Sequence, residues 1–292
     1  VAQRRHLALF FYGATASTRY NEILYNDPGV DSTWRRAITG PYSARFSSTP
    51  GTSANHEAQR ASWRNNILSW VTGAGTVANY EWSGSSLNVR PTDSQTLATS
   101  VNWHPQMPWL ATGRNSSSDE LDIKYYNGST FVDHELTDDI YSAPGEITYP
   151  DTNVNAVRWM PNRESSSTTS LAGPTAWLFV SDDNGKLYRY TLTADARYSG
   201  QGDAEAVLSG PTTLSVGTSG NSVTEIAFDQ WTGTNASESR MSVIIGGDTL
   251  KIINASSFTV IQTVNNIRSA EWRCFTGSNT YELVVCTTAG NL

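Results

Sequence analysis

Cysteine is nearly missing from this chain: Cys274 and Cys286 are the two in 292 residues, so a small scaffold stapled by several disulfides is excluded. A turn near Gly277 and Ser278, in a hairpin from Trp272 to Val285, sets Cys274 opposite Glu282 or so and carries Cys286 too far along to bond it. Two free thiols are expected. Charge is also sparse, at 16% of residues, and the balance of 20 Lys plus Arg against 27 Asp plus Glu gives a net charge of −7. With no Lys/Arg-rich run, a broad basic face for nucleic acid is not expected. Long apolar runs are absent too. The longest, Leu7 to Tyr12 and Trp177 to Val180, fall far below the roughly 20 residues that cross a bilayer, so no membrane span is expected. Neither run resembles a signal peptide, and a leader removed before residue 1 would leave no trace, so localisation stays open between extracellular and cytoplasmic.

Catalytic signatures are equally scarce. The histidines His6, His56, His104 and His134 show no close ligand spacing, and no Gly-x-Ser-x-Gly or Walker-type loop occurs. No catalytic residue, metal or cofactor is therefore expected. Gly113-Arg114 and Gly246-Gly247-Asp248 read as hairpin turns. The acidic clusters Asp119-Glu120-Leu121-Asp122, Asp138-Asp139 and Asp182-Asp183-Asn184-Gly185 lack calcium-loop spacing and read as turn caps and solvated loops. Sequons at Asn115, Asn127, Asn235 and Asn254 are about as frequent as chance in so Ser/Thr-rich a chain.

What the chain does have is internal repetition. An apolar residue, any residue and then an aromatic recur as Ala61-Ser62-Trp63, Val101-Asn102-Trp103, Val157-Arg158-Trp159, Ile226-Ala227-Phe228 and Ala270-Glu271-Trp272. A second strand-like run follows each, at Ile67 to Val71, Trp109 to Thr112, Trp177 to Val180, Ser242 to Ile245 and Glu282 to Cys286. Third runs occur at Val77 to Trp82, Leu121 to Tyr126, Leu187 to Leu192 and Leu250 to Ile253, and fourth runs at Leu87 to Val89, Phe131 to Val132 and Phe258 to Ile261. Alternation, β-branched and aromatic enrichment, and Gly/Asn/Asp/Ser punctuation make these strands. Four short antiparallel strands per unit is the pattern of a β-propeller blade.

The expected fold is thus all-β, a single β-propeller domain over residues 1–292 with four-stranded antiparallel blades, six in number, with five as the alternative. The Ser/Thr/Gly-rich insertions Arg163 to Pro174 and Ala194 to Gly220 read as surface loops. Residues 1–40 supply a further unit without an innermost strand, through Leu7 to Tyr12, Tyr20 to Tyr25 and Thr33 to Ala37, while the last unit stops after its second strand. The two ends look complementary, and joining them would remove exposed sheet edges.

With 10 Trp, 13 Tyr and 8 Phe, sugar stacking is a natural use of the aromatics. The periodic Trp63, Trp103, Trp159 and Trp272 suit packing between blades, whereas Trp34, Trp82 and Tyr126 lie at or near turns, where ligand contact is easier. Asn21-Glu22-Ile23-Leu24-Tyr25-Asn26 leading to Ser32-Thr33-Trp34, Tyr80-Glu81-Trp82-Ser83-Gly84-Ser85, and Tyr125-Tyr126-Asn127-Gly128-Ser129-Thr130-Phe131 resemble the third-to-fourth-strand hairpin of the fungal fucose-binding lectins. The resemblance covers about the first 135 residues. It implies a six-bladed propeller holding sugar between blades, each site combining an Arg from the second strand, a Glu from the third and neighbouring aromatics. Glu22 matches that Glu and Trp34 the fourth-strand aromatic, but the second strands Leu7 to Phe11, Ile67 to Val71 and Trp177 to Val180 contain no Arg. Arg35 or Arg36 could replace it, one only, since alternation sends them to opposite faces. Glu81 with Trp82 is the second candidate site.

Val101-Asn102-Trp103-His104-Pro105 with Leu110-Ala111-Thr112-Gly113, and Leu250-Lys251-Ile252-Ile253-Asn254 leading into Val260-Ile261, look more like WD-repeat blades, though no Gly-His or Trp-Asp dipeptide occurs. The expected function is a non-enzymatic carbohydrate-binding lectin that needs several sites or oligomers for avidity. A protein-interaction platform of WD-repeat type is the alternative, with a protein rather than a glycan as partner, and an extracellular propeller hydrolase with acids at its axis is the second alternative. Thiol titration of the denatured, unreduced protein should find both sulfhydryls free; finding none would mean that the two cysteines are joined.

Overall fold

The computed structural model of the chain describes residues 5–11, 20–26, 35–36, 61–64, 66–71, 75–82, 87–93, 97–104, 108–115, 120–133, 150, 152–161, 172–195, 206–228, 240–274 and 281–291. They form strands and turns, with no helix among them. In chain order β1 (Arg5–Phe11), β2 (Tyr20–Asn26) and β3 (Arg35–Arg36) make a three-stranded sheet. Four-stranded sheets follow. The first holds β4 (Ala61–Arg64), β5 (Ile67–Val71), β6 (Val77–Trp82) and β7 (Leu87–Asp93), and the second β8 (Ala98–Trp103), β9 (Trp109–Arg114), β10 (Leu121–Tyr126) and β11 (Phe131–Asp133). The third holds β12 (Val154–Pro161), β13 (Ala172–Asp182), β14 (Lys186–Asp195) and β15 (Ala206–Ser215), and the fourth β16 (Val223–Phe228), β17 (Arg240–Ile245), β18 (Thr249–Asn254) and β19 (Thr259–Asn265). A two-stranded sheet of β20 (Ile267–Cys274) and β21 (Tyr281–Thr287) completes the set. All pairings are antiparallel between strands adjacent in sequence, and β4, β8, β12, β16 and β20 pack each against the next, a propeller-like arrangement.

The expected repeat positions fall on β4, β8, β12, β16 and β20, the first strand of each sheet after the β1–β3 one. Within those strands, Val157 and Trp159 face the preceding sheet, packing with Trp109, Ala111 and Ile123, while Ala156 and Met160 face the following one, with Ile226, Met241 and Val243. Strands with apolar residues on both faces suit burial between two sheets. A β-bulge sits at the same place in four first strands: one extra residue, Thr99, Asn155, Thr224 or Arg268, lies four positions before Trp103, Trp159, Phe228 and Trp272.

Two readings change. Ala194 to Gly220 contains β15, paired along β14 from Lys186↔Ser215 to Ala194↔Ala206. Its Gly, Ser and Thr disguise the alternation, and Pro211 is tolerated because it falls at the register shift on an outer strand. Gly113-Arg114 is the end of β9, opposite Leu121 and Ala98, and not a turn. A Cβ on Gly113 would meet Val154 at 2.5 Å and Ser100 at 2.6 Å, so this glycine serves close packing between sheets. Gly246-Gly247-Asp248 is the expected turn, with φ of +59° and +73° at its glycines. Cys274 lies opposite Tyr281, one residue from the expected Glu282, and Cys286 opposite Ser269 with a free thiol.

Trp103, Trp159, Phe228 and Trp272 each meet a particular residue of the preceding sheet's second strand. Trp103 donates its indole N–H to Ser69 at 2.9 Å, and Trp272 donates to Ser242 at 3.1 Å. In equivalent register Phe179 meets Phe228, an anchor with no N–H, at 5.4 Å between rings. At the remaining junction the equivalent residue is Ala111, and Trp159 Nε1 is buried without an acceptor. Ala111→Ser should supply that acceptor and raise stability by about 1 kcal/mol, read by urea denaturation. Ser69→Ala, which also removes the bond that Ser69 Oγ donates to Asn79 Oδ1 at 2.5 Å, should lose at least as much; destabilisation by Ala111→Ser as well would break the proposed equivalence.

Candidate functional site

The innermost strand of each sheet leaves one edge without a backbone partner, and its outward N–H and C=O groups need satisfying. At β8, β12, β16 and β20 a side chain from the preceding sheet bonds one of these groups. Ser62 Oγ accepts from Trp103 N at 3.0 Å and from Asn102 Nδ2 at 3.3 Å, while Asn102 Oδ1 accepts from Trp159 N at 2.9 Å. Arg158 can only donate, so it reaches the other edge group: its Nε bonds the Ile226 carbonyl at 3.1 Å. The next strand carries Ala227 at the bridging position, too short to span. Glu225, two residues earlier and on the same face, replaces it, accepting from Ala270 N at 3.2 Å and Ser269 Oγ at 3.3 Å.

Three charged groups gather where this belt changes from neutral to ionic. Burial pushes the Glu225 carboxyl up from its ordinary value; bonds from Ala270 and Ser269 and the charge of Arg158 work against the rise, and Glu271 adds to it. Burial lowers the Arg158 guanidinium, opposed by the nearby Glu271 and Glu225 carboxylates. Among the described residues no ion pair joins Arg158 to either acid, and no hydrogen bond from its terminal nitrogens is seen. Glu271 is exposed and Glu225 is 8% exposed. Sequence reading picked out Ser62, Asn102, Arg158 and Glu271 as the middle residues of a repeat without seeing their role. A polar residue recurring between an apolar and an aromatic one was the available signal.

The residues expected to hold sugar are placed differently from one another. Glu22 lies in β2 opposite Leu9, and Arg35 in β3 opposite Tyr25, so the strand register does not pair the two. Trp34 lies outside the described residues. Trp82 ends β6 opposite Leu87, and its neighbour Glu81 is engaged by Arg90, in an ion pair, and by Asn66 Nδ2 at 2.8 Å. Arg90, from the fourth strand, was not among the expected site residues. Tyr126 is a core residue, 7% exposed, its hydroxyl donating to the Gly128 carbonyl at 2.9 Å and its ring centred 6.3 Å from Trp103 and 5.0 Å from Phe131.

The acidic turn at Asp182 is internally satisfied. Asp182 accepts from Asn184 N, Lys186 N and the Tyr188 hydroxyl, and Asp183 accepts from Asn153 and Asn155, which tie the turn to β12. No group of three or more His, Cys, Asp or Glu suited to a metal occurs among the described residues, and none of them forms a helix long and apolar enough to cross a membrane.

No protein-family model and no curated protein matches the sequence. Among solved structures the chain is similar to the WD40 domain of SCAP from fission yeast, at 10% identity and a TM-score of 0.40, over 76% of this chain. The alignment spans 39% of that chain, and no residue is carried across from it.

His104, immediately after the anchor of β8, is fully buried, its ring 5.0 Å from that of Trp159. Burial first, and the charge of Arg64 second, lower its pKa from 6.5 to about 4. The unfolded chain therefore takes up a proton that the folded one refuses. The stability contributed by neutral His104 is complete above pH 6.5 and is lost as pH falls to about 4, a loss of roughly 3 kcal/mol. Glu225 has the opposite sign, its raised pKa favouring the folded state as pH falls. Denaturant titrations from pH 7 to 4 should show a steeper decline for the native chain than for His104→Asn; parallel slopes would refute the buried neutral imidazole.

Proposed function

We propose that residues 1–292 form one six-bladed propeller domain that acts as a non-enzymatic protein-interaction platform. The observation that carries this reading is the nature of the exposed apolar side chains. Among the described residues the large exposed ones are Leu97 at 53%, Val260 at 40%, Ile261 at 53% and Val284 at 42%, all aliphatic. Sugar recognition relies on an exposed aromatic face to stack on the ring, whereas exposed aliphatic groups beside polar ones suit a protein surface. Val260 and Ile261 are adjacent on β19, the outer strand of its sheet, whose free edge can pair with an extended segment. Closure of the ring would bring the β1–β3 end toward the face of the last sheet that carries Ser269, Glu271, Val284 and Cys286.

Glycan-array screening should find no ligand, while crosslinking in native extract should attach a specific protein to residues of β19. Val260→Lys with Ile261→Lys should abolish that crosslink without moving the melting temperature, because both side chains are exposed. Saturable glycan binding lost in Trp34→Ala would establish a lectin instead.

A further inference from the structure

The chain has two Asn-Gly pairs, Asn127-Gly128 and Asn184-Gly185, and they are set up differently. Asn127 to Thr130 make the turn between β10 and β11, exposed at each residue and closed by Asn127 N donating to the Thr130 carbonyl at 3.2 Å. The Asn127 carboxamide folds back over this turn. Its Oδ1 accepts from Ser129 N and from Thr130 N, both at 2.9 Å, and its Nδ2 donates to Thr130 Oγ1 at 3.3 Å. Gly128 has a φ of +95° and open space where a Cβ would stand, and among the described residues no hydrogen bond from its N–H is seen.

These are the parts of an intramolecular acyl transfer. A backbone nitrogen that attacks the carboxamide carbon drives negative charge onto Oδ1, and donors already placed on that oxygen stabilise the charge as it forms. Nucleophile and electrophile are neighbours in one chain, so no encounter between molecules is needed. We infer that Asn127 is a self-modifying site, at which Gly128 N attacks Asn127 Cγ to close a succinimide ring. The N–Cγ bond forms as the Gly128 N–H gives its proton to water, and the Cγ–Nδ2 bond breaks as Nδ2 takes up a proton and leaves as ammonia. Water then opens the imide at either carbonyl, giving aspartate or, with the main chain rerouted through the side chain, isoaspartate.

Two other asparagines each lack one of the parts. Gly185 N, the corresponding nucleophile of the second pair, donates to the Asp182 carbonyl at 3.3 Å, and Gly185 is buried. Asn254 repeats the donors on Oδ1, Ser256 N at 3.0 Å and Ser257 N at 2.9 Å, but its neighbour is the fully buried Ala255. Conversion at Asn127 adds a carboxylate to the hairpin that carries β11, and isoaspartate lengthens the main chain inside the turn. That opposes the closure at Thr130 and the bond from the Tyr126 hydroxyl to the Gly128 carbonyl, beside which Phe131 packs on Trp103 and Tyr126. This chemistry stands apart from the platform reading, since neither β19 nor a partner enters it.

The test incubates the intact chain at mildly alkaline pH, native and in urea, and follows amide-to-acid conversion by peptide mapping with mass spectrometry. In the native chain Asn127 should convert at least about tenfold faster than Asn184 and Asn254, a margin smaller than the effect of one oxyanion donor. It should also convert at least as fast as in urea, where the two Asn-Gly pairs should behave alike. Ser129→Pro, which deletes one N–H donor to Oδ1, should slow native conversion at Asn127. Conversion of Asn127 slower in the native chain than in urea, or no faster than at Asn184, would show that the turn protects the amide and would overturn the inference. Converted chain, separated by its added negative charge, should melt below the unconverted chain; equal melting would overturn the link to β11.

Discussion

The free edge of the innermost strand is the constraint on which the remainder of this architecture depends. A sheet of four strands has a row of N–H and C=O groups at its inner edge that no further strand can satisfy. In this chain one group of that row is bonded by a side chain one sheet away: Trp103 N by Ser62, Trp159 N by Asn102, the Ile226 carbonyl by Arg158 and Ala270 N by Glu225. Each such bond joins two sheets that share no backbone ladder. Each is directional where apolar packing is not, so it fixes how far one sheet slides against the next.

That sliding matters because the apolar contacts demand one register. Trp103 can reach Ser69, and Phe228 can meet Phe179, only when the first strand of one sheet stands at a set height against the second strand of the preceding one. The bulge four residues before Trp103, Trp159, Phe228 and Trp272 serves the same end. Inserting a residue there shifts the alternation, so the residues after it send their bridging side chains forward and their anchors backward. The Arg189 guanidinium adds a further tie between two sheets, donating to the carbonyls of Ala255 and Ser256 while lying 5.1 Å from the Trp177 and Phe258 ring centres.

The same constraint accounts for the charges on the inner strands. Neutral bridging residues, Ser62 and Asn102, accept from the backbone N–H of the next sheet's anchor and leave no charge behind. Once the chain places Arg158 at a bridging position, the acceptor must be a carbonyl, and the terminal nitrogens are left over. Once it places Ala227 at the next, a longer acid from an earlier position takes the role and brings a second, buried charge with it. The ionic cluster is thus what remains of the structural belt after its hydrogen bonds are counted.

Local pattern carries much of this molecule. Short-range alternation and turn residues are properties of neighbouring residues, so the all-β class, the first, second and third strands of the repeats, the turn at Gly246-Gly247 and the separation of Cys274 from Cys286 were all legible. The apolar-x-aromatic repeat also marked the inner strands. β15 was not legible, because Gly, Ser and Thr give no alternation and only pairing with β14 holds it extended. The fate of Tyr126 was hidden as well: a tyrosine beside an Asn-Gly turn reads as exposed, yet packing against Trp103 and Phe131 encloses it. Arg158, Glu225 and Glu271 are separated by scores of residues, and no local rule relates them. Only the stacking of one sheet on the next brings their charges together, since the contacts that define the cluster lie between strands that never pair.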